Sequence, residues 1–407
     1  MGNVEGTRWK RCPSLDVYRT KPSQSLVFNF KKGVAINIFD CSALKNMCQQ
    51  KSSNLDIESF ETYGREFLQW YTSQKHGNYI ISPVNCLLSM EIMTAEAKWG
   101  TLAAVAKAVQ LPTDCKTSFQ VMVHCLKEPF DKNVLELKMA TKSYVTDCFG
   151  LEPIHQILLD GSFEADIENI NDFCDKGAIH KINKWAKAAT GGNVSNLIDG
   201  SAATSAQGCS IINCVYFKGR WAAEFDAALT KNETFFSDRR DKSVAMMKKI
   251  NKYQHAYLQD LAAQLLIVPF KMDTFCMILV LPDKKFGLGE LEKKIFNKNL
   301  RELAAAAALK DVYVQIPRLD IKYESIHLDE QQAKLGVDIM CNDQMTHNKL
   351  FGSKNKRVTH VPHMRLKTAD SEPPVLFRCD HPFYYFLAYK TDFCLFAGRI
   401  TNPTKGK

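Results

Sequence analysis

A chain of 407 residues that is 45% hydrophobic and 24% charged, with Gly and Pro modest and scattered, has material for one large or two ordinary globular domains, which excludes a disordered or fibrous polymer. Its net charge of +9 is spread thinly, with short clusters at Lys248-Lys249 and residues 354–357. A nucleic-acid site would gather its cations into a stripe with an aromatic or motif signature, and no run of eighteen uncharged apolar residues occurs, so neither a nucleic-acid partner nor a membrane span is expected.

Residues 1–54 fit the remainder poorly and are read as an N-terminal extension. They carry no apolar h-region of a secretory signal, and Gly6 stands where N-myristoylation needs Ser or Thr. Ile57, Phe60, Tyr63, Phe67, Leu68 and Tyr71 recur at helical spacing, which predicts a helix over 55–74. Tyr79-Ile80-Ile81 reads as a short buried strand. Ser82-Pro83 then opens a second helix, with Ser as cap and Pro in the first turn. A third short helix is expected over 103–111, stopped by Pro112.

From Leu135 the pattern alternates apolar and polar, which predicts a half-buried strand over 135–145. Residues 179–190 read as helix, broken by Gly191-Gly192. Residues 210–221 are too rich in β-branched and aromatic side chains for a helix and predict a strand buried on both faces. Residues 264–270 and 275–282 form a strand pair. Five consecutive alanines predict a helix over 303–310, and 311–317 a further alternating strand. The end is a hairpin of two apolar strands around Lys390-Thr391-Asp392. Helices crowd the first third and strands the last half, an α+β pattern with neither repeat nor linker, so one domain is expected.

The fourteen cysteines show irregular spacing and no CxxC pair. Cys214, Cys276 and Cys394 lie in apolar runs and read as small buried hydrophobes. Cys12, Cys41, Cys48 and Cys115 are the candidates for pairing in an oxidising compartment. Sequons at Asn193 and Asn232 are possible glycosylation sites.

No catalytic signature appears. His360 and His363, three apart on a strand, point to opposite faces and cannot chelate one metal together. Cys379-Asp380-His381 offers a nucleophile and a base in name only, because neighbouring strand residues face apart. There is no GxSxG, Walker loop, HExxH or GxGxxG, so neither an enzyme, a metal nor a cofactor is expected.

Several blocks in order resemble the serpin family: YIISPVN (79–85), INKW (182–185) followed by GGNVSNLI, INCVYFKGRWAAEF (212–225), VAMMKK, LIVPFK, IPRLDI with LGV further on, and DHPFYYFLAYKTDFCLFAGRITNP (380–403). The likeness runs from about residue 55 to 403, leaving 404–407 as a tail. It implies one serpin domain of the α+β class, with three β-sheets and about nine helices. By resemblance, Ser82, Asn213 and His363 match the family's shutter, a buried polar cluster beneath the opening of the central sheet. Asn85 stands there where serpins usually carry a serine. Trp221 matches the breach tryptophan at the top of the sheet. Plain core structure explains these residues equally well.

An inhibitory serpin offers a protease a long exposed loop, which after cleavage inserts as a new strand into the main sheet. Here the strand-like residues 358–369 and 375–378 are joined by little more than Ser371, Glu372, Pro373 and Pro374. Two or three connector residues reach about 10 Å, whereas a strand crossing a sheet needs about ten residues and some 33 Å. Prolines are also excluded from central strands. The expectation is a non-inhibitory, monomeric binding or scaffold protein, extracellular or otherwise cytoplasmic, whose partner is a protease or another protein. Two alternatives stay open: an inhibitor of serine- or cysteine-type endopeptidases with a very short loop, and a carrier of a small lipophilic ligand.

Overall fold

A computed structural model describes residues 57–74, 76–85, 88, 126, 131–146, 166–172, 175–192, 209–237, 240–318, 325–327, 347–349, 373–391 and 393–403. It also describes three short N-terminal strands, β1 (Leu15–Tyr18), β2 (Val27–Phe30) and β3 (Ala35–Asn37), paired antiparallel in that order. Helix α1 (Ile57–Gln74) turns Phe67, Leu68 and Tyr71 into the core, and β4 (Tyr79–Ile81) follows with all three residues buried. The expected helix over 103–111 lies outside the described residues.

A second sheet holds β5 (Leu135–Thr146), β6 (Asp166–Ile170) and β7 (Cys209–Gly219) in the order β6-β5-β7. β6 runs parallel to β5, and β7 antiparallel, in register from Leu135 opposite Gly219 to Val145 opposite Cys209. Helix α2 (Lys176–Ala189) lies on this sheet. Its Ala178, Ile182 and Ala186 pack with Tyr144, Ile170, Ile212 and Cys214.

That packing corrects the half-buried reading of 135–145. The second half of β5 is covered on both faces, so Ser143, Tyr144, Val145 and Thr146 are all buried and the alternation lapses. α2 also starts earlier than the expected 179–190. Asp175 is its N-cap and accepts the Ala178 N–H at 3.0 Å, so Lys176 already belongs to the first turn.

Among the described residues the largest sheet has nine strands. Its members are β4, β8 (Lys231–Phe235), β9 (Lys242–Leu258), β10 (Ala263–Pro269), β11 (Phe275–Pro282), β12 (Ala308–Pro317), β15 (Val375–Arg378), β16 (Phe383–Tyr389) and β17 (Phe393–Ile400). The order is β15-β12-β9-β10-β11-β16-β17-β4, with β8 also on β9. The seventeen-residue β9 makes this possible, because its start pairs with β8, its middle with β12 and its end with β10. β13 (Ser325–His327) and β14 (His347–Lys349) form a separate antiparallel pair.

Helices α3 (Leu288–Ile295) and α4 (Leu300–Ala305) connect β11 to β12. The alanine-run helix over 303–310 is corrected here. α4 is capped by Asn299 in a reciprocal bond with Glu302 and ends at Ala305, while Ala308 already pairs with His255 of β9. Alanine's helical preference, worth a few tenths of a kcal/mol per residue, yields to the ten-residue ladder of β12. The fold is α+β, with four α-helices of six or more residues among the described residues. The nine that the resemblance implies include stretches outside the described residues.

Candidate functional site

Ser82 follows β4 directly. Its Oγ accepts the Asn85 N–H at 3.4 Å, the cap expected from the sequence, with residues 83–85 helical. Asn213 sits in the middle of β7, where Ile212, Cys214, Val215, Tyr216 and Phe217 are also buried, so its amide needs a partner within the protein. It finds one in the Asn85 carbonyl, to which Nδ2 donates at 3.3 Å. Ser82, Asn85 and Asn213 are each 1% exposed. One buried amide thus ties the helix start after β4 to the β5–β7 sheet. Thr141, directly opposite Asn213 in register, adds a further buried hydroxyl. The sequence reading missed it, because its place depends on the register between two strands distant along the chain. His363, expected in the same cluster, lies outside the described residues.

Trp221 stands two residues beyond β7, which ends at Gly219 rather than running to 221 as expected. Its ring stacks on Phe270, with centroids 4.5 Å apart and planes 9° from parallel, and Phe225 meets it edge-on at 6.2 Å. Backbone pairing between Trp221 and Phe270 reinforces the join. The tryptophan therefore clamps the end of β7 to the end of β10.

Of the connector residues, Pro373 and Pro374 are described and exposed, while Ser371 and Glu372 lie outside the described residues. β15 starts at the next position and pairs in parallel with β12, Val375 opposite Val312 through Arg378 opposite Gln315. Phe377 is fully buried, and Arg378 reaches Glu233 of β8 and Asp380, each at 3.2 Å. Val375 through Arg378 are thereby committed to the sheet.

The neighbouring Cys379 is buried and His381 is engaged by other groups. Burial pushes the Cys379 thiol well up, and the Asp380 charge adds to the shift. The His381 ring is taken up by the Asp380 carboxylate at 2.8 Å and the Pro282 carbonyl at 2.7 Å. Asn232 is exposed on β8, and Asn193 lies outside the described residues. Among the described residues no group of three His, Cys, Asp or Glu side chains is placed to hold a metal ion, and no helix is long and apolar enough to cross a membrane.

Comparison with known proteins accounts for most of the chain. Serine protease inhibitor 42Dd of Drosophila melanogaster is 27% identical over 356 residues, covering 81% of this chain and 93% of the relative. Leukocyte elastase inhibitor of Bos taurus is 26% identical over 359 residues, covering 80% and 93%. The crystal structure of human thyroxine-binding globulin superposes with a TM-score of 0.75 at 19% identity, covering 86% of this chain and 99% of that one, a likeness of fold. The family model described as serpin (serine protease inhibitor) matches residues 63–403. The chain belongs to the serpin family.

Proposed function

We propose that this serpin is a non-inhibitory, monomeric, extracellular scaffold that binds another protein and does not trap proteases. The observation that carries the proposal is the pairing of β15 from its first residue. With Val375 already opposite Val312, no residue beyond Pro374 is available to lengthen the connector. From Asp370 to Pro374 the chain reaches about 17 Å, half the length of a strand that crosses a sheet. The proline pair at its end has no N–H to add to a ladder.

The buried cluster of Ser82, Asn85 and Asn213, to which His363 is assigned by resemblance, then has a static task. In a chain with nothing to insert, it holds the sheet closed, and Trp221 does the same just beyond the end of β7. Asn193 and Asn232 are proposed as glycan-bearing sites.

The test is incubation with trypsin-, chymotrypsin- and papain-like proteases, read on denaturing gels and by residual activity. The expected result is no adduct and no stoichiometric loss of activity. An SDS-stable adduct with any of them defeats the proposal. The carrier alternative draws on the likeness to thyroxine-binding globulin and on a cavity beside α1, α4 and β16, lined by Leu68, Val84, Phe296, Phe386 and Phe393. That cavity is about 30 Å³, room for two or three waters and far below the roughly 300 Å³ of a small-molecule site.

A further inference from the structure

Three residues from three strands line up on the outer face of the nine-stranded sheet. Ile250 of β9 stands opposite Tyr313 of β12, which stands opposite Leu376 of β15. Partners in register share a face, so the three form one apolar row that runs from the body of the sheet to its end strand. Ile250 is 49% exposed and Leu376 50%, with Tyr313 half-buried between them. On the opposite face Val312, Val314 and Phe377 are buried, so the row is presented on a fixed support.

The row ends at an edge. Among the described residues no strand pairs with the far side of β15. The Cys379 N–H donates to the Gln315 carbonyl of β12 at 2.9 Å, and alternate residues of a strand direct their N–H and C=O to the same side. Val375 and Phe377 therefore turn theirs towards β12, and Pro374, Leu376 and Arg378 turn theirs away. Pro374 has no N–H, and the Arg378 carbonyl already accepts the Asp380 N–H at 2.9 Å. The free side thus offers the Pro374 carbonyl, both groups of Leu376 and the Arg378 N–H. Two alternate residues of a parallel strand match that order completely. The first gives its N–H to Pro374 and accepts from Leu376, and the second gives its N–H to Leu376 and accepts from Arg378. An antiparallel strand from another protein would turn one carbonyl onto the Pro374 ring and one N–H onto the occupied Arg378 carbonyl, leaving both short of a partner.

Sheet edges are usually blunted by charge or proline. Here the proline guards only the start of β15, and its middle residue is an exposed leucine. The charges beside the row are balanced. Arg378 meets Glu233 and Asp380, each at 3.2 Å, Lys248 is paired with Glu233, and Lys252 stands opposite Asp311. The surface therefore suits a neutral ligand, and the groups at its edge are ones that only a peptide main chain matches.

We propose that an extended, uncharged segment of another protein adds to β15 as a parallel strand. Its residue beside Leu376 is apolar and lengthens the row of Ile250, Tyr313 and Leu376. The main chain supplies the attachment, and the alternate side chains supply the selectivity. The proposal rests on the reading of this chain as a protein-binding scaffold and gives that reading its surface.

The experiment uses the full chain and a neutral probe, the acetylated and amidated peptide TVTVTVT, with binding followed by amide hydrogen exchange and fluorescence anisotropy. The expected result is a Kd of about 0.1–1 mM. Exchange of the Leu376 and Arg378 amides, which face solvent in the free chain, is expected to slow at least tenfold at saturation, with the inward Phe377 amide unchanged. A paramagnetic label on the N-terminus of the peptide is expected to broaden the Lys252 amide more than that of Lys248, as the parallel direction requires. Leu376→Lys charges the edge at a half-exposed position and is expected to weaken binding at least tenfold. Leu309→Lys, on the same face but away from the edge, is expected to change it less than twofold. Thermal denaturation checks both folds, and should Leu376→Lys misfold, Leu376→Thr is expected to weaken binding at least threefold. No binding at about 1 mM, or equal loss in the two lysine variants, overturns the proposal. So does the opposite pattern of broadening, or a dimer of this chain that Leu376→Lys dissolves. A protease adduct would defeat the non-inhibitory reading without touching these measurements, and their failure would leave the absence of trapping intact.

Discussion

Arg399, near the end of β17, places Nη1 at 3.0 and 2.8 Å from the two carboxylate oxygens of Glu292 on α3, and both side chains are at most 10% exposed. Its Nε donates to the Gly77 carbonyl at 2.8 Å, and the guanidinium stands 5.1 Å over the Tyr79 ring. The last strand is thus fastened to both the helix above it and the turn that leads into β4. Removing one member of a buried pair strands the other charge, so Glu292→Ala is expected to lower unfolding stability by about 3–5 kcal/mol. Glu292→Leu/Arg399→Met removes both charges and is expected to lose less than the single change. Denaturant unfolding measures both, and losses that simply add would show that the two residues act independently.

Gly398 lies in β17 between two partners, opposite Tyr385 of β16 and Ile80 of β4. A Cβ there would run into the Tyr79 carbonyl oxygen and come within 2.8 Å of the Tyr385 hydroxyl oxygen. The carbonyl belongs to β4 and cannot retreat without loosening its pairing with β17. Gly398→Ala is therefore expected to destabilise by about 3 kcal/mol, the upper part of the range for overpacking. Gly289 in α3 has nothing within 4 Å of such a Cβ, so Gly289→Ala is expected to stabilise by about 0.5–1 kcal/mol. Thermal unfolding of the two variants should shift in opposite directions.

What the sequence made legible was set by how local each cause is. The β10–β11 pair and the β16–β17 hairpin are written in continuous apolar runs on either side of short polar turns, and both stand where the pattern puts them. Ser82 and the strand before it were legible from a cap and three apolar residues. The alanine run misled because the ladder between Ala308 and His255 is decided by β9, some fifty residues earlier in the chain. β5 misled because α2, which covers its second half, comes from a later segment. The partners of Asn213 and Arg399 have no local signal. Family resemblance places Asn85 beside Asn213, whereas Thr141, Glu292 and Gly77 become visible only once distant segments are brought together.

His255 marks the place where β9 passes from β12 to β10, since it pairs with Ala308 on one side and Leu266 on the other. The side chain is buried, with Nε2 3.1 Å from Gln264 Oε1 and the ring edge-on to Phe377 of β15 at 6.3 Å. Burial pushes its pKa below the ordinary imidazole value, and the Lys310 charge acts the same way, against the opposing pull of Gln264. The folded chain thus binds this proton less readily than the unfolded one. The stability His255 contributes is present above its unfolded pKa of about 6.5 and is lost as pH falls towards the lower folded value. Unfolding free energy is expected to fall between pH 8 and pH 5, and His255→Gln should flatten that part of the curve. A wild-type slope retained by the variant would locate the titration elsewhere.

The turn between β16 and β17 sets Lys390 at φ 52° and Thr391 at φ 58°, both in the left-handed region. For a β-branched residue this is costly, by about 1–2 kcal/mol, because Cβ crowds the following carbonyl. The position is not free to relax: the Lys390 N–H donates to the Thr274 carbonyl at 2.7 Å, which holds the turn against the β10–β11 connection. The Thr391 hydroxyl bonds only the neighbouring Lys390 carbonyl, at 2.6 Å and in solvent, so its loss matters little. Thr391→Gly is expected to stabilise by about 1 kcal/mol, and Thr391→Asn by less, since asparagine tolerates the left-handed region better than threonine but worse than glycine. Thr391→Val keeps the branching and loses the hydroxyl, and is expected to match or fall below the wild type. Chemical unfolding of the three variants should therefore rank them Gly, Asn, Val. A valine variant as stable as the glycine one would show that backbone strain at this turn is not what limits it.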